Sequence, residues 1–170
     1  MNDADTASHR ADRLQFDAWP PALLDWFDGR GLADRTGFTA SLLTANEDGR
    51  IGTALLGIGE LYAPDPRSLR LALWAQSRAT RALAAGGRAA LTFVFDGAFY
   101  QVQLDAVPIA SDAARAAGLA CFEAAIASAE AQRVPYARLD AGIAFTLDEQ
   151  EREATLRRWD QQREWLKAAR

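Results

Sequence analysis

SLRLALWAQSRATRALAAGGRAALTFVF, residues 68–95, divides at its polar and glycine positions into strand, turn, short helix and strand. Ser77 is an N-cap residue type and Gly86-Gly87 a helix stop, so the helix between them is flanked by a strand over Ser68–Trp74 and another over Arg88–Phe95. The turn gathers Ser77, Arg78, Thr80 and Arg81 where the helix begins. A helix N-terminus offers unpaired backbone N–H groups and the positive end of a dipole, and hydroxyl and guanidinium groups beside it make an anion cradle. Two arginines in a first turn oppose that dipole by roughly 0.3–1 kcal/mol each, which argues for a compensating anion. The plainer alternative is a capping serine and two solvated arginines. Trp74, at the end of the incoming strand, either walls a flat ligand or fills the core.

Outward from this unit, the chain alternates hairpins and helices. Phe38–Ala45 and Arg50 to about Tyr62 read as a strand pair across Asn46-Glu47-Asp48-Gly49, and Arg88–Phe95 pairs with Ala98–Ile109 across Asp96-Gly97. Asp-Gly supplies the positive φ such turns demand. The prolines of Ala63-Pro64-Asp65-Pro66 break the ladder before Ser68. Pro20-Pro21 opens a helix to about Gly29. Ser111-Asp112 opens a long helix to about Arg133, with Leu119, Phe122 and Ile126 as its stripe, and Tyr136–Leu147 follows as a sixth strand. A last helix spans Asp148–Ala168, with Leu156, Trp159, Arg163 and Leu166 on one face and Trp165 pointing elsewhere. Residues 1–18 lack apolar periodicity and are expected as a mobile arm that Leu14, Phe16 and Trp19 could dock. Residues 19–170 form a single domain, mainly β with flanking helices, around a six-stranded antiparallel sheet that closes or nearly closes.

With 170 residues, 49% of them hydrophobic and 25% charged, the chain has the balance of an ordinary globular domain. A net charge of −4 argues against a nucleic-acid or anionic-membrane surface, and neither a membrane-length apolar run nor a signal-peptide core is present. One cysteine, Cys121, supplies neither an internal disulfide nor a zinc cluster, so a cytoplasmic protein without a metal site is expected. The single histidine, His9, falls in the arm, which argues against a Ser-His-Asp triad, a Cys-His pair or a histidine metal site. Such a sheet binds something, or borrows its chemistry from a cofactor. Among the carboxylates, Asp65 and Asp96 are turn formers. Glu60 is the one with space beside it, since Gly57 and Gly59 would let a ligand approach the backbone.

The order and spacing of three segments resemble the pyridoxamine 5′-phosphate oxidase-like FMN-binding split-barrel proteins. The segments are GFTASLLTANEDGRIGTALLGIGEL, LRLALWAQSRATRAL and GRAALTFVFDGAFYQVQLDAVPI, together covering most of 37–109. The resemblance implies a split β-barrel homodimer with FMN at the interface. It implies that Ser77 and Arg78, with Thr80 or Arg81, hold the phosphate; Ala79 stands where the family carries lysine. The family's second strand often carries an arginine and a lysine, whereas Gly52–Gly57 has neither and leaves Thr53 as its polar candidate. The backbone of Thr53, Ala54, Leu55 and Leu56, with Trp74, would border the isoalloxazine, and Gln101 matches a glutamine that approaches the flavin. The implied function is an FMN-dependent oxidoreductase of unidentified substrate, and not pyridoxamine-phosphate oxidase itself, because the C-terminal substrate segment is not matched. The missing lysines favour an alternative: a flavin-free or non-catalytic dimer for another phosphorylated or flat ligand. Haem or a deazaflavin is a further option, and a barrel without histidine counts against haem.

Overall fold

The computed structural model describes residues 11–170. In chain order the elements are β1 (Asp12–Phe16), α1 (Pro21–Trp26), β2 (Thr39–Ala45), β3 (Ile51–Gly57), β4 (Leu61–Tyr62), β5 (Ser68–Trp74), α2 (Arg78–Gly86), β6 (Arg88–Phe95), β7 (Ala98–Ile109), α3 (Asp112–Ala116), β8 (Leu119–Arg133) and α4 (Arg152–Ala168). The strands form one eight-stranded antiparallel sheet in the order β3-β2-β6-β7-β8-β5-β4, with β1 added along β8. This is a split β-barrel with flanking helices, of eight strands rather than six. Among the described residues no helix is long and apolar enough to cross a membrane.

The turns act as their residues require. Gly49 has φ 78°, while Asp96 and Gly97 take φ 46° and 70°, placing both central residues of the second hairpin in the left-handed region. Inward residues of β2, β6 and β7 meet an aromatic cluster in which Phe27 lies edge-on to Phe38 and Phe93, and Phe93 stacks on Tyr100. Trp19 seals it, its indole N–H donating to the Ser68 carbonyl at 3.0 Å.

Four expectations are corrected. The long helix over 111–133 is a five-residue helix, α3, followed by β8. Gly118 at φ 80° stops the helix, and β8 then pairs with β7, β5 and β1. Its apolar residues mimic a helical stripe because the strand serves two cores: Leu119 and Cys121 pack in a small cluster with Leu166, whereas Phe122, Ala124 and Ile126 face the main one. Tyr136–Leu147 is not a strand. Both edges of β2 are taken by β3 and β6, so only Phe38, just before β2, is left to bridge Ala144. The strand over 50–62 breaks at Gly57 into a 3₁₀ turn, Ile58–Glu60, and β4 pairs instead with β5. Finally, part of the expected arm is β1, docked by half-buried Phe16 and buried Trp19, while Leu14 stays exposed. Residues 1–10, His9 among them, lie outside the described residues. Trp165 is half-buried against the small cluster.

Candidate functional site

α2 packs against β2 and β3 and thereby holds its N-terminus beside the face of β3 that carries Gly52 and Ala54. Between them lies a cleft of about 180 Å³ lined by Asn46, Gly52, Thr53, Ala54, Ser77 and Arg78, with Ala79 at its floor. The sequence motifs at 53–54 and 77–78, far apart in the chain, are thus neighbours. Ser77 caps the helix, accepting the Thr80 N–H at 3.1 Å on its Oγ. By helix geometry the N–H groups of Arg78 and Ala79 then have no intrahelical acceptor. The Arg78 side chain is exposed and has no partner among the described residues.

The remaining turn residues are occupied differently. Thr80 is buried, and its hydroxyl donates to the Trp74 carbonyl at 2.8 Å, holding the strand-to-helix turn closed. Arg81 donates to the Gln76 carbonyl at 2.9 Å on the turn's outer side. Ala79 is 6% exposed, so the position where lysine was expected is a methyl group against the cleft floor. Trp74 is no core filler: it is 54% exposed, and it does not line the cleft.

Leu55 and Leu56 continue β3 past the cleft, Leu55 outward and exposed, Leu56 inward and buried. Gln101 is not brought to them. The ladder runs Leu55–Ser41–Thr92–Gln101, so three strand spacings, roughly 14 Å, separate Gln101 from Leu55 on the same face. Gln101 lines instead a shallow 520 Å³ hollow beside Gln103, Ser128 and Glu130. Asn46 was read only as a turn residue. Its amide fills the space over Gly52, where a Cβ would stand 3.1 Å from Oδ1, and so reaches the cleft. An asparagine facing a glycine across a hairpin is the signal that could have revealed it.

Glu60 borders, with Gly57, a cavity of about 420 Å³, part of whose wall is Trp159. The room beside Gly57 and Gly59 is filled by the Trp159 indole, and Glu60 Oε2 accepts the Gly57 N–H at 2.6 Å. Burial pushes the Glu60 carboxyl above its ordinary value, with the Gly57 N–H and nearby Arg158 pulling the other way. A carboxyl whose folded-state pKa is raised contributes stability that is fully present below its unfolded value, near 4.5, and is lost as pH rises through the folded value. Glu60→Gln, whose amide oxygen still accepts from Gly57, is therefore expected to flatten this fall. Chemical denaturation from pH 4 to 8 checks it, and parallel curves for the two proteins would contradict it.

Cys121 is buried on β8, and burial pushes its thiol above its ordinary value, which suits a packing residue rather than a nucleophile. Among the described residues no three His, Cys, Asp or Glu side chains gather to hold a metal ion.

No known family profile matches the chain. The chain is 28% identical over 145 residues to the uncharacterized protein YclD of Bacillus subtilis (strain 168), a match covering 85% of this chain and 93% of YclD. Among solved structures it resembles a candidate pyridoxamine 5′-phosphate oxidase from Lactobacillus delbrueckii. The TM-score is 0.51 and the identity 16%, over 69% of this chain and 97% of that one. An FMN-binding protein from Syntrophomonas wolfei aligns at TM-score 0.46 and 11% identity, over 62% and 84%. The strand order, the two hairpins and the helix-capped cleft together give this chain the fold of the pyridoxamine 5′-phosphate oxidase-like split-barrel proteins.

Proposed function

We propose that this protein is an FMN-binding flavoprotein of the pyridoxamine 5′-phosphate oxidase-like type, a cytoplasmic homodimeric oxidoreductase whose substrate is a small molecule. The observation that carries this reading is the unpartnered Arg78 guanidinium beside the open N-terminus of α2, at the cleft that Gly52, Thr53 and Ala54 border. That donor set, one cation, two helix N–H groups and flanking hydroxyl and amide groups, fits a phosphate monoester. Arg78 and the α2 N–H groups would bind the phosphate, Ser77 would keep the helix end in place, and β3 from Thr53 to Leu56 would orient the ring system. Bound FMN would supply hydride or electron transfer, chemistry for which the side chains here offer no substitute.

The outward face of β3 and β2 supports the dimer. Ile51 and Leu55 are 65% and 57% exposed there, beside half-buried Leu43, an apolar surface that a second copy would cover. FMN at about 100 times its dissociation constant is expected to stabilise the protein by about 2.7 kcal/mol, a rise in melting temperature of roughly 5–11 °C. Differential scanning fluorimetry with and without FMN measures this, alongside light scattering for the dimer. No shift, and no flavin absorbance in the purified protein, would sink the reading.

Ala79 supports a second reading, a dimer that binds another phosphorylated or flat ligand without flavin chemistry, because a buried methyl group leaves the cleft one cation short. Mass and absorbance spectra of whatever the purified protein releases on denaturation separate the two.

A further inference from the structure

A second cavity, of about 420 Å³, lies at the far end of β3 from the cleft, on the outward face of that strand. Side chains alternate along a strand, so Thr53, Leu55 and Gly57 share the outward face with Thr39, the β2 partner of Gly57, while Gly52 and Ala54 turn to the cleft on the other face. Thr53 lines the cleft, and Leu55 and Gly57 line the cavity, two residues or roughly 7 Å further on. β3 is an edge strand of the sheet, so a ligand anchored by a phosphate at Arg78 reaches this cavity by passing along that open edge. The far walls are Ile143 and Phe145, from the irregular segment before α4, and Trp159 of α4, which meets Phe145 edge-on at 6.3 Å.

Four polar side chains, Thr39, Glu60, Thr155 and Arg158, interrupt this apolar lining. Thr39 is 6% exposed, and its Oγ1 has no hydrogen-bond partner although the side chain borders the cavity. A buried hydroxyl left unpaired costs on the order of 1–3 kcal/mol, a cost that a ligand atom accepting its hydrogen bond would remove. Glu60 has one oxygen engaged by the Gly57 N–H, and Arg158, close enough to act on Glu60 electrostatically, stands at the rim. One carboxyl and one guanidinium balance in charge, so the cavity has no net attraction for a charged ligand. What it lacks is an acceptor for Thr39.

We propose that this cavity is a substrate subsite for a small, flat, largely apolar molecule bearing a neutral carbonyl oxygen, which accepts from the Thr39 hydroxyl while its body lies among Leu55, Ile143, Phe145 and Trp159. Calling it a substrate subsite rests on the flavin reading above; the carbonyl preference rests on the cavity alone. The neighbouring cleft, with its unpartnered cation, selects anions. The two cavities thus divide a charged anchor from a neutral reactant along one strand.

Three fluorinated probes of similar size test this by ¹⁹F NMR titration of the full chain: 4-fluoroacetophenone, 4-fluoroethylbenzene and 4-fluorobenzoate. The ketone is expected to bind about fivefold more tightly than the hydrocarbon, the size of one recovered hydrogen bond. Thr39→Val, which keeps the side chain's shape, should erase that preference, and Thr39→Ser should retain it. Absence of binding by the ketone, equal binding of ketone and hydrocarbon, or tighter binding of the benzoate overturns the proposal, as does a preference that survives Thr39→Val. FMN titrated into the same samples keeps the two readings apart. FMN binding with no ketone binding overturns this inference alone. Ketone binding with no FMN binding overturns the flavin reading, and with it the word substrate, while the carbonyl site stands.

Discussion

Gly59→Ala is expected to destabilise the protein by about 3 kcal/mol and to lower its melting temperature by roughly 6–12 °C, at the upper end for overpacking a core. Gly59 lies in the 3₁₀ turn between β3 and β4, and a Cβ built there would fall within the Trp159 side chain, onto Cβ, Cγ and Cδ1. These are the inner atoms of the indole, next to its own backbone, so no rotation of a flexible tip relieves the overlap. Trp159 is 4% exposed, and its ring also stands 3.0 Å from where a Cβ on Gly57 would be. One turn further along α4, Arg163 covers Gly29 and donates to the Gly29 carbonyl. Residues four apart share a helix face, so α4 is seated through two glycines, one in the 3₁₀ turn and one in the segment after α1. The cause is separable by a double-mutant cycle. Trp159→Leu alone should cost several kcal/mol through lost contacts and a cavity, but in that background Gly59→Ala should cost under about 1 kcal/mol. Equal costs in both backgrounds, read by urea unfolding, would show that the glycine serves something other than the indole.

That seat also shows what a linear reading can and cannot see. Gly57 and Gly59 beside Glu60 signal that something approaches the backbone closely, and this is correct. Whether the visitor is a ligand or a tryptophan a hundred residues away is not encoded near the glycines. The hairpins at Asp48-Gly49 and Asp96-Gly97 were legible because their turns are local, fixed by residues that tolerate positive φ. The unit from Ser68 to Phe95 was legible for the same reason, since cap, helix and stop lie within one window. β8 was not. Alanine favours helix when neighbours are equal, and the spacing of Leu119, Phe122 and Ile126 matches a helical stripe. Only pairing with three other strands, two of them remote in sequence, makes the extended form win. The candidate site divides along the same line. Ser77 and Arg78 were singled out from one turn, and Thr53 through the resemblance, as the polar residue on a strand without the family's arginine and lysine. Thr39, which borders the second cavity, carries no local signal: it is one of several threonines on strands, and its unpaired hydroxyl exists only once 143–147 folds over it.

Arg78→Ala is expected to weaken FMN binding about tenfold while leaving the ligand-free protein as stable as before. The side chain is exposed and has no partner among the described residues, so its removal breaks no contact that holds the fold. As a cation in the first turn of α2 it opposes the helix dipole, and alanine should if anything raise the melting temperature of the free protein slightly. A charge-assisted hydrogen bond to phosphate contributes about 1.5–3 kcal/mol, and partial exposure places the loss near the lower figure. A tenfold weaker complex is stabilised by about 1.4 kcal/mol less at the same FMN concentration, which takes roughly 3–6 °C off the melting-temperature rise. The two shifts therefore move in opposite directions, a pattern that general damage to the fold does not produce. Arg78→Lys should recover part of the affinity, since lysine restores the charge but not the planar fork. Riboflavin, which lacks the phosphate, should bind wild type and Arg78→Ala alike. If Arg78→Ala binds FMN as tightly as wild type does, the α2 cleft is not where the phosphate goes, and the flavin, if held at all, is held elsewhere on the sheet.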